Sequence, residues 1–147
     1  MKIIYCGDVV GRSGREAVLN NLEKLRETYK PDVIVVNVEN AAHGFGVTPG
    51  ICRDFLNNGV NMLVTGNHVW QQRELIPFLN ESKQIVRPLN YPEALPGRKV
   101  VGIARVNILR VTVCTDGRHT AQIQPHTTVR LPRSRFDAVA PVFLAVV

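Results

Sequence analysis

Apolar residues along the first two thirds of the chain come in short, dense runs, and between them lie stretches where they recur every three or four positions. Ile3, Ile4 and Tyr5 form the first run, and Lys2 to Cys6 is predicted to be a buried strand that ends in the turn Gly7-Asp8-Val9-Val10-Gly11. Ser13-Gly14-Arg15-Glu16 fits the S-x-x-E capping box, so a helix is expected to start at Ser13. Its apolar positions Val18, Leu19, Leu22 and Leu25 form one stripe, which predicts a single helix up to Pro31. A second run, Asp32 to Val38, is too continuously apolar for a half-exposed edge and reads as a strand covered on both faces. It delivers Glu39-Asn40 at its end.

Thr48-Pro49 has the form of an N-cap followed by proline at the first helical position, and Gly59 is the expected stop of that helix. Met62 to Thr65 reads as a third strand, ending in Gly66-Asn67-His68-Val69-Trp70. Gln71 to Leu79 is predicted helical with a disturbance at Pro77, and Ile85-Val86 as a fourth strand that leaves through Pro88-Leu89-Asn90-Tyr91-Pro92. Strands alternating with helices predict an α/β fold, a parallel or mixed sheet with flanking helices and right-handed crossovers. Ligands of such sheets bind outside the carboxyl ends of the strands. Asp8, Glu39-Asn40 and Asn67-His68 should therefore converge on one rim, with Gly7, Gly11 and Gly66 supplying tight turns beside them.

From Ala104 the pattern changes. Lysine and glutamate disappear, and Thr120 to Arg135 shows neither period. No helix is expected in this tail; Val111-Thr112-Val113 could extend the sheet, and Val142-Phe143-Leu144 is apolar enough to pack. The division that follows is 1–103, the front half of one domain, and 104–147, an atypical tail.

Charge sharpens that division. The net charge of +6 comes from 12 Lys and Arg against 10 Asp and Glu up to Ile103, and from six Arg against only Asp116 and Asp137 beyond it. A nucleic-acid interface built on those arginines is a distinct alternative, recognisable by affinity that falls steeply with salt, but the tail holds few aromatic residues for stacking. No apolar stretch is long enough for a membrane span and the N-terminus turns polar too early for a secretory signal, so a cytoplasmic protein is expected. Cys6, Cys52 and Cys114 lie far apart without a C-x-x-C pair and are expected to be reduced, buried thiols.

Oxygen donors dominate the expected rim. Asp8, Glu39, Asn40 and Asn67, with the imidazole of His68, suit hard or borderline divalent metals rather than a thiolate zinc site. Paired metals lower the pKa of bound water and clamp both oxygens of an in-line displacement at phosphorus. A histidine beside such a centre can supply a proton near neutral pH. His43 could touch substrate but reads more simply as a loop residue. Gly44-Phe45-Gly46 neither directly follows a strand nor completes G-x-G-x-x-G, so no dinucleotide cofactor is expected.

Taken together, Gly7-Asp8-Val9-Val10-Gly11, Asn37-Val38-Glu39-Asn40-Ala41-Ala42-His43-Gly44 and Gly66-Asn67-His68-Val69-Trp70 resemble the bacterial metallophosphoesterases of the YmdB type, within the calcineurin-like superfamily. Arg87-Pro88-Leu89-Asn90-Tyr91-Pro92 is also similar, so the resemblance covers 1–103. It implies a two-metal phosphodiesterase with iron or manganese type ions, acting on small phosphodiesters such as cyclic nucleotides, and a homo-oligomer. Asp8 and Asn40 would bind the first metal, Glu39 would bridge, Asn67 would bind the second, and His68 would protonate the leaving oxygen.

The family's later D-F-H-A-E and G-T-H-T-H segments are missing, and Pro125-His126-Thr127 has only a superficial likeness to the latter. One expectation is therefore an incomplete C-terminal half, with the text after Ile103 translated out of frame. The rival is a shortened, selected variant. Translating the other two frames decides it, because absence of an H-x-H text from both excludes the frameshift. Either way, the alternatives to an enzyme are a noncatalytic remnant and a phosphate- or nucleic-acid-binding module.

Overall fold

The computed structural model describes residues 2–103, 109–113, 119–123, 127–131 and 143–146. Four parallel strands form its centre: β1 (Ile3–Gly7), β2 (Val33–Asn37), β3 (Met62–Val64) and β4 (Ile85–Val86). All of their residues are buried, as the unbroken apolar runs require of a sheet covered on both faces. The helices that connect them are α1 (Gly11–Leu19), α2 (Leu22–Tyr29), α3 (Pro49–Asn57) and α4 (Leu75–Glu81). Val18, Leu22, Cys52, Phe55, Leu75 and Leu79 from these helices close the core with Ile4, Ile34, Val36 and Leu63 of the sheet. The expected α/β class is therefore observed.

Local chemistry shifts several boundaries. The capping box does not form: α1 begins at Gly11, Val10 occupies the cap position without a side-chain bond, and Ser13 is already inside the helix. Glu16 instead pairs with Arg12 at 2.6 Å, and the Gly11 N–H donates to the Asn40 carbonyl at 3.0 Å, which pulls the helix start toward the rim. The single helix expected up to Pro31 is two. Asn21 donates its side-chain amide to the Ala17 carbonyl at 2.8 Å, a local bond that competes with the helical ladder and breaks it at Asn20-Asn21. The apolar stripe survives the break, since Val18 and Leu22 are buried and Leu19 and Leu25 pack against the core.

Helix α3 matches its signals. The Thr48 hydroxyl accepts from the Ile51 N–H at 3.3 Å, Pro49 is the first helical residue, and Gly59 follows the end at φ +82°. The next helix starts at Leu75 rather than Gln71, which puts Pro77 in its first turn, where the missing N–H would have had no helical partner.

The tail supplies further strands. Its β9 (Phe143–Val146) pairs antiparallel with β1, giving the order β4-β3-β2-β1-β9. The residues Val111-Thr112-Val113 do not extend this sheet. They lie in β6 (Leu109–Val113), which pairs antiparallel with β5 (Val101–Ile103) and β7 (His119–Ile123), and β7 pairs in turn with β8 (Thr127–Leu131). Two stretches without a clear period thus contribute strands, because pairing along an antiparallel ladder can proceed without apolar alternation. Among the described residues no helix is long and apolar enough to cross a membrane. Cys6 and Cys52 are free and buried, and burial pushes both thiols up to about 12; Cys114 lies outside the described residues.

Candidate metal centre at the carboxyl rim of the sheet

Each polar cluster is set on a loop anchored by a buried apolar neighbour. Val9 follows Asp8, Val38 precedes Glu39 and Val69 follows His68, and all three valines are fully buried. The loops are also tied to one another. The Val9 N–H donates to the Asn37 carbonyl at 3.1 Å, Val10 and Asn40 form a parallel bridge, and the Val38 N–H donates to the Val64 carbonyl at 3.0 Å. The polar side chains therefore leave a backbone that is hydrogen-bonded across β1, β2 and β3.

Asp8 and Asn40 meet directly. The Asn40 side-chain amide donates to Asp8 Oδ2 at 2.6 Å, and the two residues are 8% and 2% exposed. The other carboxylate oxygen of Asp8, Oδ1, and the side-chain carbonyl oxygen of Asn40, Oδ1, are buried without a hydrogen-bond partner among the described residues. Buried acceptors are ordinarily satisfied, so such a pair calls for a ligand that accepts their lone pairs. Burial raises the Asp8 pKa, with the Asn40 bond and the nearness of His68 working against that rise.

Glu39, 5% exposed, forms the second pair. It accepts the backbone N–H of Asn67 and a long 3.4 Å contact from the Asn37 side-chain amide, while its own N–H donates to Asn37 Oδ1 at 3.0 Å. Burial, and then the charge of Asp8, push its pKa up to about 6, against the pull of the Asn37 and Asn67 bonds. Two carboxylates thus share a poorly hydrated rim in which their charges repel, an arrangement that a cation relieves. Among the described residues no group of three or more His, Cys, Asp and Glu could hold a metal ion. The rim has a different donor set, two carboxylates completed by amide oxygens.

Gly66 creates the space for Glu39. A Cβ built on Gly66 would lie 1.5 Å from Glu39 Oε2 and 2.4 Å from its carboxyl carbon. Gly66→Ala is accordingly expected to displace the carboxylate and lower affinity for divalent metal at least about tenfold, as loss of a group that orients a ligand does. Mn2+ titration followed by calorimetry checks this; unchanged affinity would show that the Glu39 position is irrelevant to metal.

The remaining members are more open. Asn67 is exposed and His68 half-buried. His68 Nδ1 is buried without a partner among the described residues, and its ring meets Phe45 edge to face at 5.2 Å between centroids. His43 stands exposed on the loop after Glu39 at φ +54°. His126 lies outside the described residues.

Residue chemistry alone did not single out Asn37 or Tyr5. Asn37 is fully buried at the end of β2, bonds to both the backbone and side chain of Glu39, and bonds to the Tyr5 side chain. Burial, followed by the charges of Glu39 and Asp8, raises the Tyr5 pKa well above its ordinary value, so Tyr5 stays a neutral donor behind the carboxylates. The available signal was a polar residue closing the otherwise apolar run Val33-Ile34-Val35-Val36.

A parallel α/β sheet with two buried carboxylates and unsatisfied amide and carboxylate oxygens at its carboxyl rim defines a class of ligand-binding α/β proteins. The chain belongs to the YmdB-like protein family, whose model matches residues 4–137 and thus continues past the change of composition at Ala104. It is 40% identical over 100 residues to a 2',3'-cyclic-nucleotide 2'-phosphodiesterase of Bacillus subtilis, covering 68% of this chain and 38% of that one. Among solved structures it resembles a hypothetical protein from Thermus thermophilus, with TM-score 0.65 and 36% identity over 70% of this chain and 40% of that one. A novel phosphatase from Mycoplasma pneumoniae gives TM-score 0.65 and 34% identity over 70% of this chain and 38% of that one. The chain therefore spans about two fifths of the length of these relatives.

Proposed function

We propose that the rim formed by Asp8, Glu39, Asn40, Asn67 and His68 belongs to a metal-dependent phosphoesterase that hydrolyses small phosphodiesters such as cyclic nucleotides. The observation that carries this reading is the pair of buried oxygens Asp8 Oδ1 and Asn40 Oδ1, unpartnered among the described residues, beside a second buried carboxylate. These hard donors fit divalent ions of the iron or manganese type. In this reading Asp8 and Asn40 would hold a first ion, Asn67 would hold a second, and Glu39 would serve both. The ions, when bound, supply an activated water and neutralise charge on the phosphoryl oxygens.

The chain's own residues do the rest. The Asn40–Asp8 bond fixes which carboxylate oxygen remains free, and the Asn37 and Asn67 bonds orient Glu39. His68 donates a proton to the leaving oxygen, a role that contributes about 10² to 10⁴ in rate for a well-placed general acid.

Purified chain supplied with Mn2+ should hold close to two equivalents of metal and hydrolyse bis(p-nitrophenyl) phosphate. Asn67→Ala should lose metal together with turnover. His68→Ala should keep the metal and lose about 10²-fold or more in turnover. The competing reading is a noncatalytic remnant or a phosphate-binding module. Absence of both bound metal and turnover would establish it for this chain. The atypical standing of 104–147 is part of the same proposal and is tested by the frame translation described above.

A further inference from the structure

Phe45 is the most exposed large apolar side chain among the described residues, at 59%. Val10 and Leu89, also exposed, stand with it on loops that leave the carboxyl ends of β1, β2 and β4. Isolated exposed apolar residues are common, so exposure alone carries little. What distinguishes Phe45 is how firmly it is held. Its N–H donates to the Ala42 carbonyl at 3.0 Å and its carbonyl accepts the Gln72 side-chain amide at 2.8 Å. On either side, the Gly44 N–H donates to the Asn40 carbonyl at 3.0 Å and the Gly46 N–H to the Glu39 carbonyl at 2.7 Å. Gly46 has φ +74°, and a Cβ there would lie 2.9 Å from the His68 carbonyl, so the loop is seated on the turn that carries the histidine.

The result is a solvent-facing aromatic ring on a pinned backbone, set at 90° to the His68 ring. We propose that Phe45 is a specificity residue, the platform on which the base of a nucleotide phosphoester stacks while its phosphate lies against the Asp8–Asn40 and Glu39–Asn67 pairs. The inference rests on the phosphoesterase reading and adds the group beyond the phosphate that the site selects. In a nucleotide one sugar separates base from phosphate. On the rim, the His68 ring meets Phe45 on one hand and lies near enough to Asp8 to act on its carboxylate on the other. Stacking on phenylalanine is tolerant of base identity because every base has a π face, so the selection is for a nucleobase over an aliphatic ester rather than for one base.

Calorimetric titration of the Mn2+-supplemented chain with adenosine 3'-monophosphate and with glycerol 2-phosphate tests this. The parent should prefer the nucleotide, and Phe45→Ala should reduce that preference by roughly five- to a hundredfold, the usual consequence of removing a stacking aromatic. Phe45→Tyr should retain it. An unchanged preference in Phe45→Ala, or an equal loss for both ligands, overturns the platform while leaving the phosphate site standing. If the parent binds neither ligand, the phosphoesterase reading fails and the platform falls with it.

Discussion

Arg87→Met should destabilise the protein by about 3–5 kcal/mol, the range seen when a buried charged group that satisfies several partners is removed. Arg87 is 1% exposed, and among the described residues its guanidinium donates to backbone carbonyls. Nε reaches Gly97 at 3.1 Å and Nη1 reaches Pro88 at 3.2 Å. Nη2 reaches Pro92 at 3.0 Å, Glu93 at 3.3 Å and Leu95 at 3.2 Å, so its two hydrogens are shared among three acceptors. The chain from Pro88 to Gly97 is thus wrapped around one side chain. Methionine would fill much of the volume but strand the carbonyls. Arg87→Lys should recover little, because an ammonium cannot reproduce the planar fork. Urea unfolding measures the loss, and a change below about 1 kcal/mol would show that water satisfies the loop as well as arginine does. A local readout accompanies it. Tyr91, in this loop, packs at 4.8 Å on the ring of Trp70, the sole tryptophan, so a loosened loop should shift tryptophan emission before global unfolding.

Arg87 also marks where the sequence stops being legible. The continuous runs Ile3-Ile4-Tyr5 and Val33-Ile34-Val35-Val36 announced buried parallel strands because only side chains covered on both faces can be uniformly apolar. The carboxyl-end rule then puts Asp8, Glu39 and His68 on one rim. A buried arginine reads in sequence as a surface residue, since nothing local distinguishes a side chain bonded to carbonyls five to ten positions away from one bonded to water. The capping box failed for a related reason. Its glutamate had a second available partner in Arg12, and a bond from Gly11 to Asn40, 29 positions on, set the helix start. The role of Gly66 depends on the approach of Glu39 from another strand, a contact that no spacing encodes.

At the rim itself, Glu39→Gln is expected to separate stability from metal affinity. The Glu39 pKa is raised to about 6 from 4.5 in the folded protein. A raised pKa means that the folded state favours the protonated carboxyl. Its contribution to stability is full below 4.5 and is lost as pH rises to about 6. At pH 8 the metal-free protein has therefore forgone about 2 kcal/mol relative to acid conditions through this group, from the worth of one pKa unit. Asp8, whose pKa burial also raises, acts in the same direction. Glutamine keeps the shape and can still accept the Asn67 N–H, but it carries no charge to desolvate and none to repel Asp8. In EDTA, Glu39→Gln should therefore be more stable than the parent at pH 8 by about 1–2 kcal/mol and indistinguishable from it near pH 4.5. On the proposed metal-dependent reading the order should reverse with Mn2+, since the parent would gain binding energy that the variant, without the Glu39 carboxylate, would not. Urea midpoints in the four conditions decide the matter. Destabilisation of the metal-free variant at pH 8 would mean that Glu39 is held by its hydrogen bonds as a structural residue rather than kept ionised, at a cost in stability, for a cation.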